Sequence, residues 1–325
     1  MNVTRRGFGT MILTGAAAVS TPTIMRGQDA IKAYNIEVHH RSIRDGEARG
    51  HGWCFGLPPG ITPEQWPLDR CTGYPLVHGF TLLLPQDYRC HGPDFVAVSF
   101  FSVALEHSGG ETNKLVETAL KAVESPADPE LRRLWQHHQK PHPRLHYMKD
   151  ILGSDYAAIL LTEAEFNSPF CLPPQYGELS RFGGVRPAEW LGKGSARAFW
   201  DAKQQMRFVR DVLGQIPDAD LAYNLAISRT PRFDPNAGKT PMEVYDGFIA
   251  KNGYQMPFDE DFKNREWVAG HSSNHIGGTM RPSQTIPDGF GPFYVEFDEE
   301  FGGYNFGGGN AQLDFQSMKF DWACG

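Results

Sequence analysis

The sequence predicts an α+β fold in which antiparallel or mixed sheets form two related halves, with helices packed between them. Three observations lead to this prediction. Residues 271–325 alternate apolar and polar side chains between turn signals, which is typical of strands with one buried face. Two continuous apolar runs, at residues 74–85 and 94–102, are typical of fully buried strands. Helical periodicity recurs between residues 111 and 248, without the regular strand and helix alternation of a doubly wound fold.

The clearest strands lie at the C-terminal end. Phe293, Val295 and Phe297 alternate with polar residues, and a triple glycine at residues 307–309 precedes a second alternating segment at residues 311–316. The last alternating side chains are Phe320, Trp322 and Cys324. These segments predict an antiparallel meander whose apolar face is covered by residues from earlier in the chain.

Two other segments are predicted to be strands. Residues 31–38 predict an edge strand at the start of the mature protein, and residues 157–161 predict a short buried strand. Residues 50–60 carry glycine or proline at nearly every step, so they predict a loop between strands.

Four segments have the features of helices. Apolar side chains at helical spacing mark residues 111–124, and an Asp-Pro start marks residues 128–135. The strongest pattern lies at residues 195–213, where a serine precedes and a glycine follows an apolar stripe. A capping box formed by Thr240 and Glu243 opens the fourth segment. These helices supply the helical part of the predicted fold.

The N-terminal segment has the order of an export signal. Arg5 and Arg6, with Phe8 shortly after them, resemble the twin-arginine signal of bacteria, and an uncharged, weakly apolar run follows. A membrane span needs about 20 apolar residues, and this run is shorter and interrupted. We therefore predict a signal peptide at residues 1–28 and a single α+β domain at residues 29–325. The expected partner is the twin-arginine export machinery, and the expected location is the periplasm or the exterior.

The net charge argues against nucleic acid as a partner. The chain carries −7, and removal of the three arginines in residues 1–28 gives −7 − 3 = −10. Binding to phosphates needs clustered lysines and arginines. No Rossmann glycine fingerprint, HExxH motif or EF-hand loop is present, so no cofactor is predicted. The five cysteines form no C-x-x-C pair, and buried free thiols are favoured over disulfides.

A short sequence repeat predicts that the mature chain consists of two related halves. The segment Phe-Gly-Leu-Pro-Pro at residues 55–59 resembles Phe-Cys-Leu-Pro-Pro at residues 170–174. Each segment lies upstream of a glycine and a tryptophan. The halves would cover about residues 29–165 and 166–325.

The two ends of the mature chain resemble a known family. Residues 56–60 (GLPPG), 66–69 (WPLD) and 73–76 (GYPL), followed by an apolar strand, look like the first half of the YwqG-like family of bacterial proteins of unknown function. Residues 275–284 and the closing segment 320–324 echo the second half. The resemblance implies a compact α+β fold of two related halves, with no catalytic residues to carry over. The export signal departs from what is expected of that family.

Four histidines are candidate metal ligands: His137, His138, His142 and His146. Prolines interrupt this stretch, so the four cannot share one helix face, and no cysteine or acidic residue lies among them. The pattern favours solvated loop histidines over a metal site.

His271, Ser272 and His275 are candidate catalytic residues, because they could place a hydroxyl beside an imidazole. The segment lacks the second glycine of a nucleophile elbow and its strand-to-helix setting. The sequence therefore favours an exported protein of the cell envelope that binds a ligand or a protein partner, and a non-enzyme over an enzyme. The alternative is an exported hydrolase that uses histidine with a carboxylate or a bound metal.

Overall fold

All strands of the described chain belong to one antiparallel sheet. The structure is a computed structural model that describes residues 31–176, 179–203, 216–244 and 247–325, and Ile31–Gly325 forms one compact unit. The strands are β1 (Ala33–Ile43), β2 (Gly52–Cys54), β3 (Val77–Leu83), β4 (Phe95–Ser102), β5 (Leu145–Lys149), β6 (Asp155–Thr162), β7 (Asn224–Arg232), β8 (His275–Ile276), β9 (Tyr294–Asp298), β10 (Asn310–Asp314) and β11 (Phe320–Ala323). Their order is β11-β10-β9-β8-β1-β7-β2-β3-β4-β6-β5, and each neighbouring pair is antiparallel.

The helices of the described chain are short. They are α1 (Lys114–Leu120), α2 (Pro129–His138), α3 (Glu163–Phe166), α4 (Trp190–Lys193) and α5 (Ser195–Lys203). Asn113 caps α1 by accepting a hydrogen bond from the Val116 N–H, and the Asp128 carboxylate caps α2. Helices α1 and α2 bury Val116, Leu120 and Leu134 in a small cluster of their own, separate from the core of the sheet.

The α+β prediction is wrong. Strands from both predicted halves join one sheet, no described pair of strands is parallel, and the described helices do not form a layer between two halves. The segment at residues 111–124 stops at Leu120, and Val123 of the predicted apolar stripe is 95% exposed. Residues 240–244 are not helical despite their capping box. Of the strongest helix pattern, Ser195–Lys203 is helical and residues 204–213 lie outside the described residues.

Strand β1 is central, so the prediction of an edge strand there is also wrong. It pairs with β7 on one side, from Ala33 opposite Arg232 to Ile43 opposite Asn224, and with β8 on the other. The sequence pattern did not predict β7. By contrast, the locally patterned strands β3, β4, β6, β9, β10 and β11 confirm their predictions.

The sheet curls around an aromatic core until its two edges approach each other. Phe100 of β4 contacts Phe297 of β9 and Phe320 of β11, with ring centroids 5.4 and 5.3 Å apart, although these strands are far apart in the sheet order. Tyr156 of β6 lies 4.2 Å from Phe320 by the same measure. The edge strands β5 and β11 therefore border one opening, and the sheet is nearly closed.

Candidate functional site

The two histidines among the candidate catalytic residues lie side by side in a buried cluster. A short 3-10 turn at Glu266–Gly270 ends just before His271, and β8 carries His275, so that their ring centroids are 4.3 Å apart. The end of β7 adds Arg232, whose Nη2 forms an ion pair with the Asp234 carboxylate at 2.9 Å and also lies against His271 Nε2. Glu296 stands opposite His275 on β9. We refer to these five residues as the polar cluster.

Asp234 is the hydrogen-bonding centre of the polar cluster. Its carboxylate accepts hydrogen bonds from the backbone N–H groups of Asn236 (2.9 Å) and Thr279 (2.8 Å) and from the Thr279 hydroxyl (2.9 Å). Burial favours the neutral acid, but contact with His271, the charge of Arg232 and the two backbone donors outweigh it and lower the pKa of Asp234. The carboxylate is therefore ionised and compensates the buried Arg232.

His275 and Glu296 form the other end of the cluster. His275 is fully buried, and its Nδ1 lies 3.9 Å from Glu296 Oε1. Burial, together with the charges of His271 and Arg232, holds the pKa of His275 well below its ordinary value. Burial raises the pKa of Glu296 to about 8, although the Arg281 N–H and the Gln312 amide donate to its carboxyl group. At neutral pH both side chains are therefore uncharged.

The protonated Glu296 predicts how the free energy of unfolding depends on pH. The pKa of Glu296 is raised from 4.5 to about 8 on folding, so the folded protein binds one more proton than the unfolded chain between these pH values. The free energy of unfolding should fall by about 1.4 kcal/mol per pH unit across that window. Glu296→Gln keeps an acceptor oxygen but cannot ionise, so it should remove this slope. Urea denaturation from pH 4.5 to 8.5 measures the difference.

The matched control for that prediction is Glu37→Gln, which changes an exposed carboxyl group on β1. It should retain the slope of the unchanged protein. Parallel stability curves for the unchanged protein and Glu296→Gln would contradict a buried, protonated Glu296.

Ser272 is not directed at either imidazole. Its hydroxyl donates to the Ile36 carbonyl over 3.0 Å and accepts from the Asn274 N–H, so it closes a turn. Arg232, Asp234 and Glu296 are the members of the cluster that the sequence did not predict. The side chains of His271 and Asp234 are each only 1% exposed. The arrangement can hold protons and join the loops to the sheet, but a substrate cannot reach these groups in it.

The four candidate metal ligands divide between two places. His137, His138 and His142 line a pocket of about 450 Å³, whereas His146 lies beside His91, with ring centroids 5.9 Å apart. His137 uses both ring nitrogens, on the Trp66 carbonyl (2.7 Å) and the Tyr176 hydroxyl.

His142 is engaged in the same way. Its Nδ1 accepts from the Arg144 N–H over 3.3 Å and its Nε2 lies 3.5 Å from Glu165. Neither His137 nor His142 therefore has a ring nitrogen directed at a common ion. The pocket gathers three histidines, but two of them, His137 and His142, belong to separate hydrogen-bonded groups.

One set of potential metal ligands does converge within the described residues: Asp69, Cys71 and Asp155, whose ligand atoms lie within 4.8 Å of one another. However, Arg70 and Lys149 both pair with Asp155, at 2.6 and 3.0 Å. These two cations occupy the carboxylate and repel a further positive charge. The set is therefore explained as an ion-pair network in which Asp155 of β6 joins Lys149 of β5 to Arg70 of the loop before β3.

A further open feature is the cleft between the two edge strands, which we call the seam. It has a volume of about 870 Å³. Tyr147, Met148 and Lys149 of β5 line one side, Phe320 and Asp321 of β11 line the other, and a loop at residues 285–288 borders it. This volume lies within the range of about 300–1,000 Å³ that is usual for ligand sites.

The backbone of both edge strands offers free hydrogen-bonding groups to the seam. Directly after β5, the Asp150 N–H donates to the Ser154 carbonyl, so Asp150 directs its backbone groups toward β6. Alternate residues of a strand direct these groups to opposite sides, and Tyr147 and Lys149 therefore direct their N–H and C=O away from β6. At the start of β11, the carbonyl of Lys319 accepts a hydrogen bond from the Asp314 N–H of β10. Phe320 and Trp322 therefore direct theirs away from β10. These outward groups have no hydrogen-bond partner among the described residues.

The export-signal residues Arg5, Arg6 and Phe8 lie outside the described residues. Within the described chain, every helix is too short or too polar to cross a membrane. Comparisons of the chain with protein-family models, with curated proteins and with solved structures found no match.

Proposed function

We propose that the protein is an exported binding protein of the bacterial cell envelope and that the seam is its ligand site. The observation that carries this proposal is the pair of unpaired strand edges facing one cleft of about 870 Å³. Edge strands that face water are usually blunted or covered, because their free N–H and C=O groups pair readily with other chains. In this protein the free N–H and C=O groups border a cleft, which supports the proposal that they bind a ligand.

The alternative function, a hydrolase that uses histidine with a carboxylate, receives less support. His271 and Asp234 have the right chemistry, but both side chains are 1% exposed and Ser272 is committed to its turn. A general base must come within hydrogen-bond reach of the group it deprotonates. A chain that hydrolyses its ligand at this cluster would first have to open it.

A binding screen with a blocked seam tests the proposal. The probes are a fragment library and a phage-displayed decapeptide library, each applied to the exported protein. Thr285 is exposed on the seam border, so Thr285→Trp should obstruct the cleft there and abolish the binding of most hits. Val123→Trp, at a site that is 95% exposed and not part of the seam lining, is the control and should retain them. Hits that bind Thr285→Trp as well as the unchanged protein would show that the seam is not the ligand site.

Export gives a separate prediction. Replacing Arg5 and Arg6 together by lysine keeps the charge but removes the guanidinium pair that the twin-arginine receptor reads, so the protein should remain in the cytoplasm. Fractionation followed by immunoblotting measures the periplasmic yield. The control replaces Lys32 by arginine, which lies beyond the signal and should not alter the yield. An unchanged yield in the double lysine variant would mean that a different export route is used.

A further inference from the structure

The number of strands determines how the seam can be closed. Every neighbouring pair is antiparallel, so strands at odd positions in the order run in one direction and strands at even positions run in the other. In the part of the chain that the structure describes the sheet has eleven strands, so β11 and β5 both occupy odd positions and run in the same direction. They cannot complete the antiparallel pattern with each other. One additional strand that runs the opposite way would be antiparallel to both.

The free backbone groups fit such a strand. Tyr147 and Lys149 on β5, with Phe320 and Trp322 on β11, direct their N–H and C=O groups away from the paired strands, and all but Trp322 line the seam. In an inserted strand, alternate residues direct their backbone groups to opposite sides. One side would pair with β5 and the other with β11. The two edges are five and four residues long, so a segment of four or five residues would use them fully.

The packing beneath the seam limits the side chains of the inserted segment. Tyr156 and Phe320 are in contact there, with ring centroids 4.2 Å apart, so little space remains on the inner side of the gap. Lys149, Lys319 and Asp321 line the outer side, where polar side chains can reach water. Every second residue of the segment should therefore be small, while the residues between them can be large or polar.

We propose that the ligand of the seam is an extended peptide segment of another polypeptide, which inserts as a twelfth strand antiparallel to both β5 and β11, with small side chains at alternate positions. This inference rests on the proposed binding function and specifies its ligand. Strand addition gives affinity through main-chain hydrogen bonds and gives specificity through alternate side chains.

The test uses the decapeptide library and the exported protein. Enriched peptides should carry Gly, Ala or Ser at every second position of a five-residue core. Bound peptide should protect the amides of Tyr147, Lys149, Phe320 and Trp322 from hydrogen exchange. N-methylation of single core amides should raise the Kd about tenfold, because each removes a main-chain hydrogen bond.

A pair of edge variants isolates the backbone. Lys149→Pro removes the outward N–H of β5, and Lys149→Ala removes only the side chain, which also pairs with Asp155. The proline variant should bind the peptide about tenfold more weakly than the alanine variant. If the proline variant fails to fold, the N-methylated peptides make the same comparison from the ligand side.

The outcomes separate this inference from the proposed function. Peptides or fragments that are lost in Thr285→Trp, but tolerate N-methylation and protect neither edge, would overturn the inserted strand and leave the seam as a binding site. Protection of one edge alone would overturn the bridging of β5 and β11. Probes that all bind Thr285→Trp unchanged would overturn the binding site itself.

Discussion

Asp234→Ala is expected to lower the free energy of unfolding by about 3–5 kcal/mol, because it removes one partner of a buried ion pair. The Arg232 side chain is 8% exposed and its Nη2 lies 2.9 Å from the Asp234 carboxylate. Without that carboxylate the guanidinium charge is uncompensated, and the N–H groups of Asn236 and Thr279 lose their acceptor. Chemical denaturation at pH 7 measures the loss.

Two comparisons make this prediction specific. Asp94→Ala removes an exposed carboxyl group and should change stability by no more than about 0.5 kcal/mol. Adding Arg232→Met to Asp234→Ala removes both buried charges and should recover part of the lost stability. An Asp234→Ala protein that unfolds like the unchanged protein would show that Arg232 is hydrated and not buried with its partner.

Removal of β11, by deletion of residues 318–325, should lower the melting temperature by about 10 °C or more. The deletion takes away Phe320, which packs on Tyr156 and Phe100, and Trp322, which stacks on Phe306 with ring centroids 5.7 Å apart. Both side chains are partly buried, so each contributes up to about 1.5–3 kcal/mol in addition to the lost pairing with β10, and each kcal/mol changes the melting temperature by about 2–4 °C. Calorimetry measures the shift.

The matched variants separate side-chain packing from strand pairing. Phe320→Ala with Trp322→Ala keeps the backbone of β11 and should lose the packing contribution alone. Cys324→Ser changes an exposed free thiol after the strand and should leave the melting temperature within about 1 °C, as expected of a surface change. A truncated protein that melts like the full chain would mean that β11 does not hold the sheet closed.

The strands that the sequence predicted are those with a strong local pattern. Val295 and Phe297 of β9 share the face that meets the aromatic core, whereas its other face buries Tyr294 and Glu296. Strand β4 is almost continuously apolar because both of its faces are buried as well. Such patterns depend only on which faces are covered. They could therefore be recognised without knowledge of the partner strand.

The order of the strands depends on contacts that no local pattern reports. Strand β1 is central because β7 pairs with it, and β7 carries Arg229, Pro231 and Arg232, which are not typical of a central strand. Helices were overpredicted because helical spacing does not show whether other residues cover the apolar face. Helical spacing at Val123 satisfies the pattern, but no neighbour covers that side chain, and α1 stops before it.

The polar cluster was only partly predictable, because its residues come from segments that are distant in the sequence. His271 and His275 are close in the sequence and were both candidates, although the expected neighbour of an imidazole was the Ser272 hydroxyl and not the second imidazole. Arg232, Asp234 and Glu296 come from two other segments, so their proximity follows from the pairing of β1 with β7 and β8 and of β8 with β9. The seam requires the complete strand order, because only the order shows which strands lack a second neighbour.

The most direct test of the open seam is residue-resolved hydrogen exchange on protein whose native mass shows no bound ligand. The amides of Met148 and Asp321 face their paired strands and should exchange slowly. Those of Lys149 and Phe320 face the seam and should exchange much faster, giving an alternating pattern on both edge strands. Uniform protection along β5 and β11 in the ligand-free protein would contradict the open seam, because it would mean that the edges are already paired.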